Sequence, residues 1–305
     1  PGGVLMKLFS PAKINLFLAV TGRRPDGFHS LVSLVAPLEF GDHLEISPTD
    51  ASGDVLRCEY PGVPMDGSNL VLRAAEVFRR RSGVRQFFEF DLEKRIPAGG
   101  GFGGGSGNAV TALRGMNAIC GEVLDSAEML NAATELGSDC PLFLDGGPVV
   151  MRGRGEEVQP VPELSHFLAS RRVFLFSPRI FSSTASLFRS MADRGVYTSN
   201  ENAESLLGDL MKSIQQNQYG WHLQNDLGTL LAEKYLYYDT LGGLLRKDGI
   251  REFAVTGSGS GAFVLARRES DWQKIRKIGD RFLEGCGFMI ETRFLGNNVV
   301  PTASF

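Results

Sequence analysis

The stretch with the clearest chemical potential is residues 95–108, which reads Arg-Ile-Pro-Ala-Gly-Gly-Gly-Phe-Gly-Gly-Gly-Ser-Gly-Asn. Glycine backbone can curl tightly and approach a ligand closely, so several N–H groups can converge on one point. The stretch leads into apolar positions spaced as on one face of a helix, which Ser106 or Asn108 is expected to cap (Val110, Leu113, Met116 and Cys120). Because the positive end of a helix dipole favours an anion, this stretch predicts a polyphosphate site and a nucleotide ligand.

Other glycine-rich motifs explain this stretch less well. Gly99, Gly101 and Gly104 fit the dinucleotide fingerprint, and Asp125 follows at about ~20 residues. That fingerprint belongs directly after a buried strand, whereas the Asp-Ser-Ala-Glu sequence at 125–128 is typical of a helix cap. A Walker A loop is excluded because the sequence has no Gly-Lys pair, and protein-kinase signatures are absent. A flexible linker is disfavoured, since linkers rarely run directly into a capped, periodic helix.

Two charged side chains are candidates for catalysis. Residues 10–16 open the first strong strand, where alternation places Lys13 and Asn15 on one face and Ile14, Leu16 and Leu18 on the other. An exposed polar edge face is the structural alternative. Residues 137–141 (Gly-Ser-Asp-Cys-Pro) set the Asp139 carboxylate between a helix end and a proline, where it could instead cap a following turn.

Two further segments could contact a ligand. Phe28 and His29 follow a Pro-Asp-Gly turn, and they could stack on and hydrogen-bond a base or simply pack. Residues 257–261 (Gly-Ser-Gly-Ser-Gly) lie between two strand-like runs and are richer in glycine and serine than a plain hairpin requires.

Strand-like and helix-like patterns alternate along the chain and must position these residues. Strands are predicted at 16–20, 43–46, 87–92, 172–176, 253–256 and 262–266, and the segment 87–92 alternates apolar and acidic residues. Helices are predicted at 69–81, 106–120 and 126–136, with one amphipathic helix within 199–224 and two more near the end. A boundary near residues 162–170 predicts two α+β domains, residues 1–166 and 167–305.

Composition excludes several classes of protein. The 305 residues are 43% hydrophobic and 22% charged with a net charge of −3, so nothing points to nucleic acid. No apolar stretch approaches ~18 residues and no targeting peptide is evident, which predicts no membrane span and a cytoplasmic location. Residues 1–5 precede Met6 and are left out of the fold reasoning. The cysteines and histidines lack metal-ligand spacing, so reduced thiols and no zinc site are expected (Cys58, Cys120, Cys140, Cys286; His29, His43, His166, His222).

Taken together, the segments 11–16, 97–108 and 256–261 resemble the three motifs of the GHMP kinases, in the same order. Residues 22–29, the long form of the glycine loop and residues 136–141 narrow the resemblance to the 4-diphosphocytidyl-2-C-methyl-D-erythritol kinase family. The resemblance runs from Met6 to about Leu265. It implies an N-terminal ribosomal-protein-S5-like domain and a C-terminal ferredoxin-like domain, with the active site in the cleft between them.

The resemblance also implies an activity and its residues. A member of this family transfers the γ-phosphoryl group of ATP, with Mg²⁺, to the 2-hydroxyl of its cytidyl substrate in the non-mevalonate isoprenoid pathway. Lys13 and Asp139 match the catalytic pair. The positions that match the ATP site are Asn69, Lys94, Pro97, Ala98, Gly99, Gly100, Gly101, Phe102, Gly103, Gly104, Gly105, Ser106 and Gly107. The positions that match the substrate pocket are Asn15, Phe28, His29, Thr184 and Phe188.

The sequence departs from the family pattern at five positions. Phe28 replaces a common Tyr, Phe102 a Leu and Gly107 a second Ser, while Ser138 and Cys140 replace Ala and Val. Only Ser106 is therefore expected to offer a hydroxyl to phosphate or Mg²⁺, and no protein metal ligand is assigned.

Two other functions stay open. A GHMP kinase for a mevalonate- or homoserine-type alcohol is disfavoured by the Phe28-His29 pair, and a non-catalytic nucleotide-binding module is disfavoured by the retention of Lys13 and Asp139. The expected partners are small molecules, and the expected state is a monomer or weak homodimer.

Overall fold

The computed structural model describes residues 5–180, 182–285 and 287–296. The strands there are β1 (Met6–Arg23), β2 (His29–Thr49), β3 (Val55–Arg57), β4 (Phe87–Glu93), β5 (Val149–Arg152), β6 (Glu157–Pro160), β7 (Arg172–Pro178), β8 (Gln224–Asn225), β9 (Phe253–Val255), β10 (Ala262–Ala266) and β11 (Gly287–Arg293). The α-helices are α1 (Leu70–Ser82), α2 (Gly104–Ile119), α3 (Ser126–Leu136), α4 (Ser165–Leu168), α5 (Thr184–Arg194), α6 (Asn200–Gln215), α7 (Asp226–Lys234), α8 (Leu236–Lys247) and α9 (Glu269–Phe282).

The larger sheet is built around a long hairpin of β1 and β2. Its main order is β3-β4-β2-β1-β8, with β5 also pairing with β2 and β6 pairing with β5. Helices α1, α2 and α3 cover this sheet, and their apolar faces share a core with β1, β2 and β4. The acid-and-apolar alternation predicted for β4 is confirmed, because Phe88, Phe90 and Leu92 are buried.

The smaller sheet has the order β11-β7-β10-β9 and is antiparallel throughout. Both faces of β7 are buried. Val173 and Leu175 pack in a core shared with β1, while Phe174 and Phe176 pack in a core with the helices α5, α7 and α8. A strand that is covered on both faces has a continuous apolar sequence, as Val-Phe-Leu-Phe shows.

The predicted α+β architecture is confirmed, but several element boundaries were wrong. The first strand begins at Met6 rather than Leu16, and α5 and β11 were not predicted. Strand β8, at residues 224–225, follows residue 166 in the chain but pairs with β1 of the larger sheet. The division of the chain into two domains at residue 166 therefore stays a prediction. In the described ranges, no helix is both long enough and apolar enough to cross a bilayer.

The helix ends follow local chemistry. Asp125 caps α3 by accepting a hydrogen bond from the Glu128 backbone, as predicted from its Asp-Ser-Ala-Glu sequence. Cys58, Cys120 and Cys140 carry free thiols, as expected, while Cys286 lies outside the described residues.

Candidate active site

The three glycine- or lysine-bearing segments singled out in the sequence meet in the structure. The Asn15 backbone donates to the Thr256 hydroxyl at 3.1 Å, and the Gly257 backbone donates to the Asn15 amide oxygen at 2.9 Å. The Gly261 backbone donates to the Gly100 carbonyl at 3.0 Å. The segments 11–16, 97–108 and 256–261 therefore form one connected site.

The glycines let these segments approach closely. Gly101 lies in the left-handed region with φ 75°, and a Cβ atom there would overlap the Thr256 carbonyl. A Cβ atom at Gly261 would overlap the Gly100 carbonyl and the buried Phe102 ring. These two positions need glycine because the backbone of the glycine loop packs directly against the backbone of residues 256–261.

Helix α2 begins two residues earlier than predicted. Its first residue is Gly104, and its N-cap is Gly103 in the left-handed conformation without a side-chain cap. The prediction that Ser106 or Asn108 caps the helix is therefore wrong. The first N–H groups of an α-helix have no acceptor within the helix, and here they belong to glycine-loop residues that line the cavities described below, which suits an anion.

The backbone on either side of Lys13 is irregular, and this orients the Lys13 side chain. Register shifts between β1 and β2 occur on both sides of the Lys13–Asn15 segment, and such bulges re-aim side chains near active sites. The second shift also turns Leu18 toward the Lys13 side, so the prediction that Leu18 shares a face with Ile14 and Leu16 is wrong.

The Lys13 ammonium group is buried, with its side chain only 3% exposed. Its Nζ donates to the Asn15 amide oxygen at 2.6 Å and lies 3.8 Å from the Asp139 carboxylate. Burial lowers the pKa of Lys13, and the Asp139 charge partly opposes that shift. An exposed polar edge face is therefore excluded for this segment.

Asp139 is placed by the end of α3 and the turn that follows it. Its side chain is 49% exposed, and it does not cap the short 3-10 helix Pro141–Phe143, whose N-cap residue is Cys140. The helix-cap alternative is therefore not supported. Burial raises the pKa of the neighbouring Cys140 thiol to about 12, so this thiol stays protonated and unreactive.

A cavity of about 260 Å³, here called the phosphate-loop cavity, lies along the glycine loop. Its walls include the expected ATP positions Asn69, Lys94 and residues 97–105. Asn69 caps α1 through its amide oxygen and donates to the Pro64 carbonyl. Asn108 also lines this cavity, and its amide oxygen is buried with no hydrogen-bond partner within the described ranges.

Lys94 is fixed by a buried carboxylate that sequence reasoning missed. Asp42 is fully buried and accepts from Lys94 Nζ at 2.6 Å and from the backbones of Arg95 and Ile96 at 2.7 Å each. Burial lowers the pKa of Lys94, and the charge of Asp42 opposes the shift. The Asp42 carboxylate thus anchors the start of the glycine loop.

A central cavity of about 360 Å³ contains both Lys13 and Asp139. It shares Gly99, Gly101 and residues 103–105 with the phosphate-loop cavity, and the Ser106 side chain also lines it. Gly107 does not line either cavity, because it is buried against Ser10 and Phe143.

An aromatic cavity of about 650 Å³ continues from the central cavity, with which it shares Leu31, Asp139, Thr184 and Phe188. Phe28 and His29 also line it, so four of the five positions expected near the substrate meet here. The fifth, Asn15, lies in the central cavity, where internal hydrogen bonds occupy its side chain.

Stacked groups form the walls of the aromatic cavity. The His29 ring stacks on Phe188 with centroids 4.7 Å apart, and its Nε2 atom is buried without a hydrogen-bond partner in the described part of the chain. Burial lowers the pKa of His29, and the positive charge of Arg23 adds to the shift, which favours the neutral ring. The Arg154 guanidinium lies 5.0 Å from the centroid of the half-exposed Phe28 ring.

Some residues of the site gave no signal in the sequence. Thr256 lies in the third motif, but its contact with Asn15 spans 241 residues and could not be read from that motif. Arg154 lies in the turn between β5 and β6, far from Phe28 in sequence. Ser182 donates to the Ser258 carbonyl at 2.9 Å. Only the folding of the two sheets against each other brings these residues together.

The chain is similar in sequence to known proteins. Residues 69–147 match the family model for the GHMP kinases N terminal domain. The chain is 41% identical over 203 residues to the chloroplastic 4-diphosphocytidyl-2-C-methyl-D-erythritol kinase of Arabidopsis thaliana, covering 66% of this chain and 52% of that protein. It is 34% identical over 262 residues to the corresponding kinase of Protochlamydia amoebophila, covering 86% of this chain and 85% of that protein.

Solved structures give the same result. A crystal structure of 4-(cytidine 5'-diphospho)-2C-methyl-D-erythritol kinase superposes with a TM-score of 0.77 at 27% identity, covering 95% of this chain and all (100%) of the other. A homoserine kinase from Cytophaga hutchinsonii has a TM-score of 0.73 at 17% identity, which shows a shared fold alone. The chain spans about half the length of the plant relatives, at 52% and 51%, and most of the bacterial ones. The resemblance found in the sequence is therefore confirmed, and this chain belongs to the 4-diphosphocytidyl-2-C-methyl-D-erythritol kinase family of the GHMP kinases.

Proposed function

We propose that this chain transfers the γ-phosphoryl group of ATP to the 2-hydroxyl of 4-diphosphocytidyl-2-C-methyl-D-erythritol, a step of non-mevalonate isoprenoid synthesis. The observation that carries the proposal is the position of the Lys13–Asp139 pair. It lies in the central cavity, between a glycine-lined phosphate-loop cavity and an aromatic cavity that is continuous with it. A kinase of this class needs this order of nucleotide, catalytic pair and acceptor.

The glycine loop would hold the triphosphate through backbone N–H groups. Those of α2's first turn have no partner within the helix, and the helix dipole adds positive potential. Asp42 and Lys94 fix the entry to the loop, which keeps these donors in place before ATP binds. Such preorganised donors stabilise charge without having to reorganise during the reaction.

The catalytic pair would act on the acceptor hydroxyl and the transferred group. Asp139 is exposed enough to reach a substrate hydroxyl and can accept or orient its proton. The buried Lys13 ammonium would balance the negative charge that builds up around the transferred phosphoryl group. Asn15 positions Lys13, since its amide oxygen accepts from Nζ while its amide nitrogen donates to Ser33.

Mg²⁺ fits this site as a partner of the bound phosphates. No cluster of three or more His, Cys, Asp and Glu side chains occurs in the part of the chain that the structure describes. Mg²⁺ often binds through substrate phosphates and one or two protein oxygens, and here Ser106 and Asp139 line the same cavity. When bound, the ion would supply charge neutralisation at the phosphates.

The aromatic cavity would take the cytidyl group. Phe28 offers an exposed face. The His29 ring, whose buried Nε2 has no hydrogen-bond partner among the described residues, would bond a polar edge of the base. Thr184 lies where the aromatic and central cavities join, with its hydroxyl 2.6 Å from that of Ser258. The pocket therefore favours a substrate with a base over a small free alcohol.

We further propose a cytoplasmic enzyme that acts as a monomer or weak homodimer. The names of the plant relatives mark them as chloroplastic, so location is a property that differs within the family.

A substrate screen tests the proposed function directly. ATP turnover is measured in parallel with 4-diphosphocytidyl-2-C-methyl-D-erythritol, mevalonate and homoserine, with Asp139→Asn as the inactive control. We expect turnover with the cytidyl substrate alone. Preferred turnover of mevalonate or homoserine would assign the chain to another branch, and ATP binding without turnover of any acceptor would leave a binding module.

A further inference from the structure

A fourth cavity, here called the Arg114 cavity, lies outside the proposed active site and has a volume of about 610 Å³. It opens at the C-terminal half of α2, and no residue of its wall lines the phosphate-loop, central or aromatic cavity. Small-molecule sites typically have volumes of about 300–1,000 Å³, so it can hold a whole metabolite.

Arg114 lines this cavity, and among the described residues its guanidinium has no direct partner. Neither a hydrogen bond nor an ion pair to it occurs within residues 5–180, 182–285 and 287–296. By contrast, Arg79, Arg81 and Arg152 of the same sheet and its helices each contact a carboxylate. A partly buried charge is costly unless it is paired, so Arg114 is set to receive an anion.

Two carboxylates lie near Arg114 but do not pair with it. Burial lowers the pKa of Arg114, and the charges of Glu122 and Asp145 oppose the shift, so both lie within electrostatic range. Glu122 is fixed in place, because the Asn117 amide donates to its carboxylate at 2.8 Å. Its backbone adopts the left-handed conformation with φ 58°, which non-glycine residues rarely do.

The rest of the wall is mixed: Asn117 and Ser126 are polar, and the other side chains are mostly apolar. Met6 and Leu8 of β1, Leu124 and Met129 beside α3, and Val158 of β6 line it. Among the described residues, the cavity therefore offers an arginine without a direct partner, two exposed carboxylates within electrostatic range of it, and an apolar part of the wall. A phosphate or polyphosphate would be repelled by Glu122 and Asp145, whereas a ligand with both charges would satisfy every group.

We propose that the Arg114 cavity binds a free aliphatic α-amino acid. The carboxylate of the ligand pairs with the Arg114 guanidinium, in the fork geometry that suits a carboxylate. Its ammonium group lies against Glu122 and Asp145, and its side chain covers the Met6 and Leu8 surface. The turn that contains Pro141 and Leu144 belongs to the same wall and follows Asp139 directly, so the ligand would rest against the chain next to the active site.

Calorimetry with three probes tests this site without reference to turnover. L-leucine is compared with 4-methylpentanoate, which lacks the ammonium group, and with 3-methylbutylamine, which lacks the carboxylate. We expect leucine to bind the wild-type chain at least about tenfold more tightly than either analogue, because each charged contact is lost in turn. Equal binding of leucine and the amine, or no binding of leucine at millimolar concentration, would overturn the proposal.

Two variants assign the contacts. Arg114→Gln and Glu122→Gln should each weaken leucine binding about tenfold, while ATP affinity, as a check of folding, stays at the wild-type value. Arg85→Gln, which changes an exposed arginine outside the cavity, is the matched control and should bind leucine normally. Leucine binding that is unchanged in a folded Arg114→Gln variant would also overturn the proposal.

Discussion

The ammonium nitrogen of Lys13 lies 3.8 Å from a carboxylate oxygen of Asp139, although the two side chains differ sharply in exposure, at 3% and 49%. The lysine is therefore part of the protein interior, while the aspartate is open to a substrate. This asymmetry suits a fixed charge beside a group that must meet an incoming hydroxyl. Because of this difference in exposure, substitutions of Lys13 and of Asp139 should have different effects on stability.

Asp139→Asn should leave the fold intact and reduce kcat. Asp139 caps no helix, so the melting temperature should stay close to the wild-type value. General base catalysis is typically worth about 10²–10⁴-fold, and kcat should fall by an amount in that range. Steady-state kinetics and a thermal melt measure both; near wild-type kcat in the folded variant would remove Asp139 from the catalytic pair.

Lys13→Met should also lower kcat, and the two changes should not combine independently. If Lys13 and Asp139 act as a unit, the double variant loses much less than the product of the two single losses. Independent, multiplicative losses in kcat would show that the residues contribute separately.

Lys13→Met should stabilise the folded chain at neutral pH. Burial lowers the pKa of Lys13 from 10.5, so between the folded pKa and 10.5 the unfolded chain binds more protons. The free energy of unfolding of the wild-type chain should therefore increase as pH rises through that window. The stability advantage of the variant over the wild type should shrink over the same range. The Asn15 amide oxygen keeps its bond from Gly257 in the variant, so no buried acceptor is orphaned.

Melting temperatures at neutral pH and near pH 10.5 measure this difference. Lys7→Met is the matched control, since the Lys7 side chain is 63% exposed and its burial does not change. A lower melting temperature for Lys13→Met at neutral pH would show that the contacts to Asn15 and Asp139 outweigh the cost of burial.

Gly101→Ala should weaken ATP binding. The added methyl group would overlap the Thr256 carbonyl, and φ 75° is unfavourable for alanine, so the loop must shift away from the third motif. Calorimetry should show an ATP affinity at least about tenfold lower. Gly53→Ala is the control, because a Cβ atom there meets nothing within 4 Å. Equal ATP affinity in both variants would contradict the assignment of the loop.

Asp42→Ala should destabilise the chain and disorganise the ATP site together. The change leaves the largely buried Lys94 ammonium without its counter-ion, although Nζ still donates to the Ile96 carbonyl. The backbone donors of Arg95 and Ile96 lose their acceptor. Removing one partner of a buried pair typically costs about 3–5 kcal/mol, so chemical denaturation should show a loss of that order. A free energy of unfolding equal to that of the wild type would mean that water replaces the Asp42 carboxylate.

Phe28→Ala should raise KM for the cytidyl substrate while ATP affinity stays nearly unchanged. Stacking of a base on an aromatic ring is worth roughly 1–3 kcal/mol, which corresponds to a KM about tenfold higher or more. Because Phe28 is 50% exposed, little stability should be lost. Phe288→Ala, at a 44% exposed ring on β11 outside the cavities of the site, is the control and should leave both constants unchanged.

The sequence by itself determined the features that depend on near neighbours. The glycine loop, the helix that follows it, the cap at Asp125 and the alternation in β4 are all set by residues within a few positions of one another. Steric freedom, capping bonds and side-chain period act over that range, so these features could be predicted.

Tertiary structure decided what depends on distant parts of the chain. A register shift in the β1–β2 pairing set the face of Leu18, and Asp42 gained its role by meeting Lys94, 52 residues away. The bond between Asn15 and Thr256 spans 241 residues, and the burial that lowers the pKa of Lys13 exists only after both sheets have packed. Charge, burial and hydrogen bonding at this site are properties of the packed chain, because desolvation acts only once the surrounding surfaces have closed.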